Sequence, residues 1–235
     1  MTNTEKKVHL ALLLSGVGIV LGLVSLIVGL TGNSAPATGP DAFYLAQAKE
    51  NGVRKSKFEK CMASEEVTAK IKADADEAAA IGGQGTPFNV IKLADGKIIS
   101  IPGAYPYEAF ADILDRAARN EITPEELATF PYTAEDFRPF NPETDFYQGN
   151  PDGEITIFEW SDFECPYCSM LHPTLKKVVE NYPNVNWVYR QLPLSFHAQA
   201  ENSAKAALCI GEEKGNEGFW NFAEAVFADQ SVLKS

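Results

Sequence analysis

The stretch EITIFEWSDFECPYCSMLHPTLKKVVENYPNVNWVYR, residues 154–190, decides the fold. Its first run, EITIFEW, predicts a strand because it is rich in β-branched and aromatic residues. PYCSMLHPTLKKVVENY predicts a helix, since Leu171, Leu175 and Val178 recur at helical spacing, and VNWVYR predicts a second strand. Two helical stretches follow, HAQAENSAKAALCIGEE and GFWNFAEAVFADQ. Residues 153–235 are therefore expected to form a β-α-β unit and then helices.

Two of the four cysteines form a C-x-x-C motif where the first strand meets the helix. Cys165 opens the helix, so its sulfur lies among unpaired backbone N–H groups at the positive end of the helix dipole, where a thiolate is stabilised. Cys168 lies one turn further on the same face, so a disulfide between the two can form and break with little backbone movement. Pro166 suits the first helical turn, where its missing N–H is no loss. The pattern favours redox chemistry.

The alternative to a redox pair is half of a zinc site, which requires four ligands. The other two cysteines, Cys61 and Cys209, are single and far apart in the chain, and His9 lies in an apolar segment. We expect no metal and no organic cofactor, only a redox-active disulfide.

The first half of the chain, residues 41–118, carries a different pattern. DAFYLAQAKENG, SKFEKCMAS and the stretch from Val67 to about Ile81 predict three helices. FNVIKL and IISI flank an Asp-Gly turn and predict a β-hairpin, which a last helix follows. Residues 119–152 are rich in Pro, Glu, Thr and Phe without a sustained period, so we interpret them as a long connector.

These segments resemble a known family. Residues 155–209 resemble the N-terminal half of the DsbA-like thiol-disulfide oxidoreductases, and GGQGTPFNVIKLADGKIISIPGAYPYEAFADIL, residues 82–114, resembles the C-terminal half of the same domain. The resemblance implies an α/β thioredoxin-like fold with an inserted helical subdomain. It also implies that the bond between Thr86 and Pro87 is cis, that it faces the active-site disulfide and that these residues hold the substrate strand. Only about 5–6% of X–Pro bonds are cis, so sequence alone does not establish that isomer.

The resemblance also implies roles for single residues. Cys165 corresponds to the attacking, substrate-facing sulfur and Cys168 to the resolving one. Family members often carry a second disulfide between helices of the insert, which implies a bridge between Cys61 and Cys209. Glu159 matches the acidic residue beneath the family's disulfide, where a half-buried carboxylate can carry protons during exchange. The alternative is that Glu159 is a strand residue that points to solvent.

Three residues in and around the motif bear on the strength of the oxidant. Tyr167 departs from the histidine that is common at this position in the family. Asp162 and Glu164 place negative charge beside the motif, which opposes thiolate formation. We therefore expect a milder oxidant than DsbA itself.

The aromatic residues and histidines near the motif have two interpretations each. Trp160, Phe163 and Tyr167 form either an apolar collar for unfolded peptides or part of the core. His172, one turn past the motif, and His197, which opens a predicted helix, are expected to be structural rather than catalytic.

The two halves stand in the opposite order from the family. Here residues 41–118 hold the end of the domain and residues 153–235 hold its beginning. The C-terminal FADQSVLKS continues into DAFYLAQAKENG as the family's helical subdomain does. This order predicts a circular permutation between two insert helices, since exposed loops tolerate new termini. The alternative is a misassembled or truncated reading frame that encodes two mismatched half-domains.

The N-terminal segment predicts a membrane anchor. Residues 8–30 contain no Lys, Arg, Asp or Glu, and as a helix they extend about 34 Å against roughly 30 Å of hydrocarbon. A cleaved signal peptide is the alternative. Lys6 and Lys7 precede the span, so the positive-inside rule places residues 1–7 in the cytoplasm and the rest outside, in an oxidising compartment. The small, Gly/Pro-rich residues 31–40 are expected to form a linker.

The charge composition of the chain bears on which classes of partner the protein binds. The net charge of −12, from 20 Lys+Arg and 32 Asp+Glu, argues against nucleic-acid binding. We expect a single-pass membrane protein whose extracytoplasmic domain introduces or exchanges disulfides in reduced or misfolded secreted proteins. A membrane redox partner is expected to reset it. The alternatives are a disulfide reductase or isomerase, and a chaperone-like peptide-binding module whose cysteines are only structural.

Overall fold

A computed structural model describes residues 39–234. The predicted cytoplasmic N-terminus (1–7) and the predicted anchor (8–30) lie outside the described residues, as does nearly all of the linker (31–40). Within the described range, no helix has the length and apolar character needed to cross a bilayer.

The described residues form seven α-helices, five strands and one 3-10 helix. In order they are α1 (Pro40–Glu50), α2 (Lys55–Met62), α3 (Glu65–Ala80), β1 (Phe88–Lys92), β2 (Ile98–Ser100), α4 (Tyr107–Ala118), α5 (Pro124–Ala128), β3 (Phe146–Gly149), β4 (Ile155–Ser161), α6 (Pro166–Asn181), β5 (Val185–Gln191), α7 (Ala200–Ala228) and a 3-10 helix (Gln230–Leu233). The first helix begins at Pro40, the last residue of the predicted linker, because the fixed φ of proline suits the first helical position.

The five strands form one mixed sheet in the order β2-β1-β4-β5-β3. β1 is antiparallel to β2 and to β4, β4 is parallel to β5, and β3 is antiparallel to β5. β1 comes from the first half of the chain and β4 from the second, and their register runs from Phe88 opposite Trp160 to Lys92 opposite Thr156. The two halves are therefore joined through a shared ladder of backbone hydrogen bonds.

Each face of the sheet carries a buried cluster. One cluster includes Ile157 and Trp187 and packs the sheet against apolar residues of α1, α2, α4, α6 and α7. The other includes Phe158 and packs the opposite face against Phe130 and Phe137 of the connector. Every residue of β4 and β5 is buried because both faces are covered.

The connector, residues 119–152, contains two elements that the sequence analysis does not predict. α5 begins with a capping box in which Thr123 and Glu126 satisfy each other's backbone N–H groups, a signal that is present in the sequence. β3 is an edge strand of four residues. The Asn216 side chain accepts a hydrogen bond from the Tyr147 N–H at 2.8 Å and donates one to its carbonyl oxygen at 2.5 Å. A distant contact therefore stabilises this strand, and no local period marks it.

The two predicted C-terminal helical stretches run together in α7. They meet at Gly215, whose φ of 68° is in a region that favours glycine. The sequence pattern predicts that His197 opens this helix, whereas the helix begins at Ala200. The His197 ring lies 2.8 Å from the Asp162 carboxylate after β4, and this contact holds it in the preceding loop.

Candidate active site

The C-x-x-C motif lies where β4 passes into α6. Cys165 is the N-cap of α6 and has extended backbone angles, and Pro166 occupies the first helical position. The backbone N–H groups of Cys168 and Ser169 donate to the Cys165 carbonyl oxygen at 3.1 and 3.2 Å. Both sulfurs are free thiols. Cys165 retains 4% of its surface and Cys168 none, so only Cys165 is accessible to a substrate.

A loop from the other half of the chain faces Cys165. The bond between Thr86 and Pro87 is cis. In its protonated form the Cys165 thiol donates a hydrogen bond to the Thr86 carbonyl oxygen at 3.4 Å, across 79 positions of sequence. The Pro87 carbonyl accepts from the Gly103 N–H at 2.8 Å, and Asn89 Nδ2 donates to the Gly103 carbonyl at 3.1 Å. The structure thus brings these residues together as the resemblance implies, while their role in holding substrate stays a prediction.

The two thiols differ strongly in acidity. A hydrogen bond from the Cys168 thiol contributes most to lowering the pKa of Cys165 to about 6. Burial opposes this shift, and the Thr86 side chain and the N–H groups of Cys168 and Tyr167 support it. Burial, followed by the hydrogen bond to Cys165, raises the pKa of Cys168 well above its usual range. Near neutral pH the pair therefore consists of one thiolate, at Cys165, and one thiol.

Glu159 lies on β4 and is 1% exposed, so the alternative that it points to solvent is wrong. Trp187 Nε1 donates a hydrogen bond to Glu159 Oε2 at 2.8 Å. Burial raises the pKa of Glu159 to about 7, against the influence of the Ser161 hydroxyl and Trp187, and charge at Cys165 adds to the rise. A carboxyl group with a pKa near neutrality can both give and take a proton. Its role as a proton carrier stays a prediction.

The acidic residues beside the motif are engaged by other groups. The buried Asp162 carboxylate accepts two backbone N–H hydrogen bonds, each at 2.8 Å, and lies 2.8 Å from His197 Nδ1. Glu164 accepts a hydrogen bond from the Gln199 N–H. These carboxylates connect the loop before Cys165 to the segment before α7. They hold the loop in place through these hydrogen bonds, and they also place negative charge near the Cys165 sulfur.

Two residues that position the motif carry no signal in the sequence. Gln230 Nε2 donates to the carbonyl oxygens of Phe163 and Cys165 at 2.8 and 3.0 Å. The Ser169 hydroxyl donates to the Phe227 carbonyl at 3.0 Å. Both contacts join the start of α6 to the C-terminal end of the chain. No local pattern marks them, because each partner is about sixty positions away.

The surface beside the motif is apolar. Tyr167 and Met170 on α6 are 60% and 63% exposed, and Phe196, next to His197, is 76% exposed. Trp160 and Phe163 are fully buried. The collar interpretation is therefore wrong for those two, because Phe137 of the connector and Phe88 of β1 pack on Trp160 and α7 packs on Phe163. Of the three, only Tyr167 is available for contact with a peptide.

Cys61 on α2 and Cys209 on α7 form a disulfide with a Cα–Cα distance of 5.7 Å and a sequence separation of 148. This is the pairing that the resemblance implies. The bond joins the two halves of the chain a second time, on the helical side of the sheet. It also leaves neither cysteine free to act as a metal ligand with the C-x-x-C motif.

Comparison with known families agrees with this geometry in both halves. The family described as DSBA-like thioredoxin domain matches residues 30–115, and a family described as Thioredoxin matches residues 141–233. The described residues thus form a mixed α/β thioredoxin-like fold of the DsbA type. Domains of this type suggest thiol-disulfide oxidoreductase activity.

Each of the following relatives matches about two fifths of this chain. The Na(+)/H(+) antiporter NhaA 1 of Salinispora arenicola is 34% identical over 97 residues, which are 41% of this chain and 14% of that protein. The Na(+)/H(+) antiporter NhaA of Herminiimonas arsenicoxydans is 31% identical over 98 residues, 41% and 15% of the two chains. The match therefore spans only a small fraction of these relatives. The crystal structure of Pseudomonas aeruginosa DsbA2 shares 34% identity over 39% of this chain and 50% of its own, with a TM-score of 0.36.

Proposed function

We propose that the chain is a membrane-anchored thiol-disulfide oxidoreductase that forms or exchanges disulfides in secreted proteins through Cys165 and Cys168. The observation that carries the proposal is the setting of the Cys165 sulfur at the start of α6, 3.4 Å from the Thr86 carbonyl oxygen. A stabilised thiolate next to a buried second thiol supports reversible disulfide exchange. The sulfur pair is itself the redox group, so we propose no further cofactor.

In the oxidising direction, a substrate thiolate attacks Cys165 in the Cys165–Cys168 disulfide. The bond between the two enzyme sulfurs breaks and a mixed disulfide forms between the substrate and Cys165. Cys168 leaves with the electron pair and takes a proton from Glu159. A second substrate thiolate then attacks the substrate sulfur of the mixed disulfide and releases Cys165 as a thiolate. One substrate disulfide has formed, and the two electrons now on the enzyme pass to a membrane redox partner.

The first test compares two cysteine variants in the oxidation of a reduced, unfolded secreted protein. We expect Cys165→Ser to abolish oxidation. Given a substrate that already contains a disulfide, Cys168→Ser is expected to accumulate a mixed disulfide on Cys165, visible by non-reducing electrophoresis, because the Cys165 thiolate attacks the substrate disulfide and the resolving thiol is missing. Oxidation that persists unchanged in Cys165→Ser would overturn the proposal, and peptide binding without oxidation in both the wild type and this variant would favour the chaperone-like module.

The second test decides the direction of electron flow. The lowered pKa of Cys165 supports a stabilised thiolate, and Tyr167 in place of the family's histidine supports an oxidant milder than DsbA. The reduction potential, measured against glutathione, is therefore expected to lie above the roughly −270 mV of thioredoxin. A potential at or below that of thioredoxin would favour a reductase.

The membrane location rests on residues 8–30 and on Lys6 and Lys7 before them. Relatives named as Na(+)/H(+) antiporters are also consistent with a place at a membrane. Protease added to intact spheroplasts is expected to cut in the segment 31–40 and release the C-x-x-C domain. Protection of that domain would invert the proposed topology.

We also propose that the order of the two halves is a permutation of the DsbA-like order. Two contacts support it: α1 packs on the 3-10 helix, and β1 pairs with β4. A rebuilt chain that begins in the connector, runs through residues 153–234 and continues into 40–118 is expected to fold and to oxidise substrate. A rebuilt chain that stays unfolded would contradict the permutation.

A further inference from the structure

We propose that Asn89 is a positioning residue that holds the loop of Thr86 and Pro87, the substrate loop, in the shape that receives the peptide backbone of a substrate. Asn89 acts through this loop and not on the two sulfurs. The inference rests on the proposed function, because it concerns how the proposed oxidoreductase engages its substrates. It separates the contacts that hold a substrate from the exchange of sulfur bonds.

Asn89 occupies a place in the sheet that stability alone does not favour. It is the second residue of β1 and is fully buried. Asparagine is depleted in strands, and burial of an amide is costly unless its polar atoms are hydrogen-bonded. The Asn89 side-chain oxygen, Oδ1, has no hydrogen-bond partner among the described residues. Because a core position that breaks the usual pattern is often a functional one, the bonds of the amide nitrogen matter here.

The Asn89 amide nitrogen binds the turn that follows β2. Nδ2 donates hydrogen bonds to the carbonyl oxygens of Ile101 and Gly103, both at 3.1 Å. The Asn89 carbonyl oxygen also accepts one from the Ile101 N–H at 2.9 Å. These hydrogen bonds of one residue therefore fix residues 101–103 against the start of β1.

The same turn holds the substrate loop. The Gly103 N–H donates to the Pro87 carbonyl oxygen at 2.8 Å. Gly103 has a φ of 108°, which favours glycine, and in this conformation its N–H binds Pro87 while its carbonyl binds Asn89. The neighbouring Thr86 carbonyl oxygen lies 3.4 Å from the Cys165 sulfur. The distance between the substrate loop and the reactive sulfur therefore depends on the bonds that Asn89 makes.

Only some substrates depend on the place of the substrate loop. A peptide whose cysteine is joined to Cys165 lies beside Thr86, where its backbone can pair with that of the loop as one strand pairs with another. A misplacement of about 1 Å can lower a rate by about 100-fold. A small dithiol such as dithiothreitol has no peptide backbone and reacts with the sulfur alone. Loss of the Asn89 bonds is therefore expected to slow peptides and to spare dithiothreitol.

Asn89 has a second neighbour through which a substitution can act. It lies opposite Glu159 in the register of β1 and β4, and opposite side chains in an antiparallel pair have Cβ atoms about 5 Å apart. An effect transmitted through Glu159 changes the leaving sulfur, Cys168, and so reaches every attacking thiol alike. Comparison of a peptide with dithiothreitol therefore distinguishes an effect of the substrate loop from an effect of Glu159.

The experiment compares Asn89→Ala with Asn186→Ala. Asn186 on β5 is equally buried, its Nδ2 donates to the Gly153 carbonyl oxygen at 3.3 Å, and its Oδ1 also lacks a partner among the described residues. Tryptophan emission follows reduction of the oxidised protein by dithiothreitol and by a reduced two-cysteine peptide that lacks tryptophan. We expect Asn89→Ala to react roughly tenfold more slowly with the peptide and within about twofold of the wild-type rate with dithiothreitol. Asn186→Ala is expected to keep the wild-type ratio of the two rates.

Equal slowing of Asn89→Ala with both reductants would place the effect at the sulfurs and overturn the inference. A wild-type ratio in Asn89→Ala, or the same change of ratio in Asn186→Ala, would overturn it as well. Asn89→Ser keeps one hydrogen-bond donor and is measured alongside, in case Asn89→Ala does not fold. It is expected to show a smaller loss confined to the peptide, and a wild-type ratio in this variant would count against the inference in the same way. Failure of the proposed function is a different result, namely oxidation of the peptide that persists in Cys165→Ser.

Discussion

The sulfurs of Cys165 and Cys168 lie one helical turn apart in opposite environments. Cys165 is the N-cap of α6 and keeps a small accessible surface, whereas Cys168 is enclosed by the core. The hydrogen bond between the two sulfurs contributes most to the lowered pKa of Cys165, whereas burial contributes most to the raised pKa of Cys168. Attack by an external thiol is thereby directed to a single atom.

This asymmetry predicts selective labelling. Iodoacetamide is expected to modify Cys165 with a pH midpoint near 6 and to leave Cys168 unmodified, as located by peptide mass spectrometry. Cys168→Ala is expected to raise that midpoint toward the ordinary thiol range, because the main hydrogen-bond donor is lost. Equal labelling of both sulfurs, or an unmoved midpoint in Cys168→Ala, would contradict the assignment.

The raised pKa of Glu159 predicts that the free energy of unfolding depends on pH. Its pKa is about 7 in the folded protein, against an ordinary value of 4.5. The contribution of Glu159 to the stability of the wild type should therefore rise as pH falls from 7 to 4.5, because the folded state holds this proton more tightly than the unfolded chain does. At pH 8, Glu159→Gln is expected to be about 3 kcal/mol more stable than the wild type, since one pKa unit corresponds to about 1.4 kcal/mol. Urea unfolding of the oxidised protein measures this difference, which should vanish below pH 4.5.

The lowered pKa of His172 predicts the opposite dependence of the free energy of unfolding on pH. It is buried against Trp187 and Trp220, and burial lowers its pKa from 6.5 to about 4. The contribution of His172 to wild-type stability should therefore fall as pH decreases from 6.5 to 4, because only the unfolded chain binds this proton there. His172→Leu is expected to remove a loss of about 3 kcal/mol across that window. A parallel pH profile for this variant and the wild type would show that His172 titrates normally.

At the scale of elements, the start of α6 depends on segments that are remote in sequence. Gln230 of the 3-10 helix holds two carbonyl oxygens of the loop that ends at Cys165, and His197 holds Asp162 from the other side. The loop that contains Thr86 and Pro87 is the third segment, and its Thr86 carbonyl oxygen contacts the Cys165 sulfur. The reactive sulfur is therefore positioned by three segments that meet at the end of β4.

Gln230→Ala tests that arrangement. Two hydrogen bonds to partly buried carbonyls are lost, at about 1 kcal/mol each, so the free energy of unfolding is expected to fall by about 2 kcal/mol. The labelling rate of Cys165 should change with it, because the N-cap is less firmly held. Gln47→Ala is the matched control: its amide binds only the exposed Glu50, and the change is expected within about 0.5 kcal/mol. Equal effects of the two variants would rule out a special role for Gln230.

At the scale of the whole molecule, the two halves are joined twice, by the ladder between β1 and β4 and by the disulfide between Cys61 and Cys209. The disulfide closes a loop of 148 positions. In the chain-entropy model a loop of that size stabilises the folded state by about 5 kcal/mol, chiefly by restricting the unfolded chain.

The disulfide therefore makes a prediction about assembly. With Cys165 and Cys168 both changed to Ser, non-reducing electrophoresis is expected to show a compact monomer. Adding Cys61→Ser and Cys209→Ser to that protein should lower the free energy of unfolding by several kcal/mol, up to about 5. A covalent dimer would instead indicate that two chains exchange halves.

Local sequence determined the elements with strong patterns and the redox motif. The run EITIFEW, the apolar face of α6 and the Asp-Gly hairpin were predictable because side-chain periodicity and turn chemistry act over a few residues. The place of Cys165 at a helix start followed from the same local signals, and family resemblance supplied the pairing of Cys61 with Cys209. Only tertiary structure decided the burial of Glu159, the edge strand β3 and the contacts of Gln230. Each of these depends on groups brought close by the fold from distant positions, and desolvation and distant hydrogen bonds leave no period in the sequence.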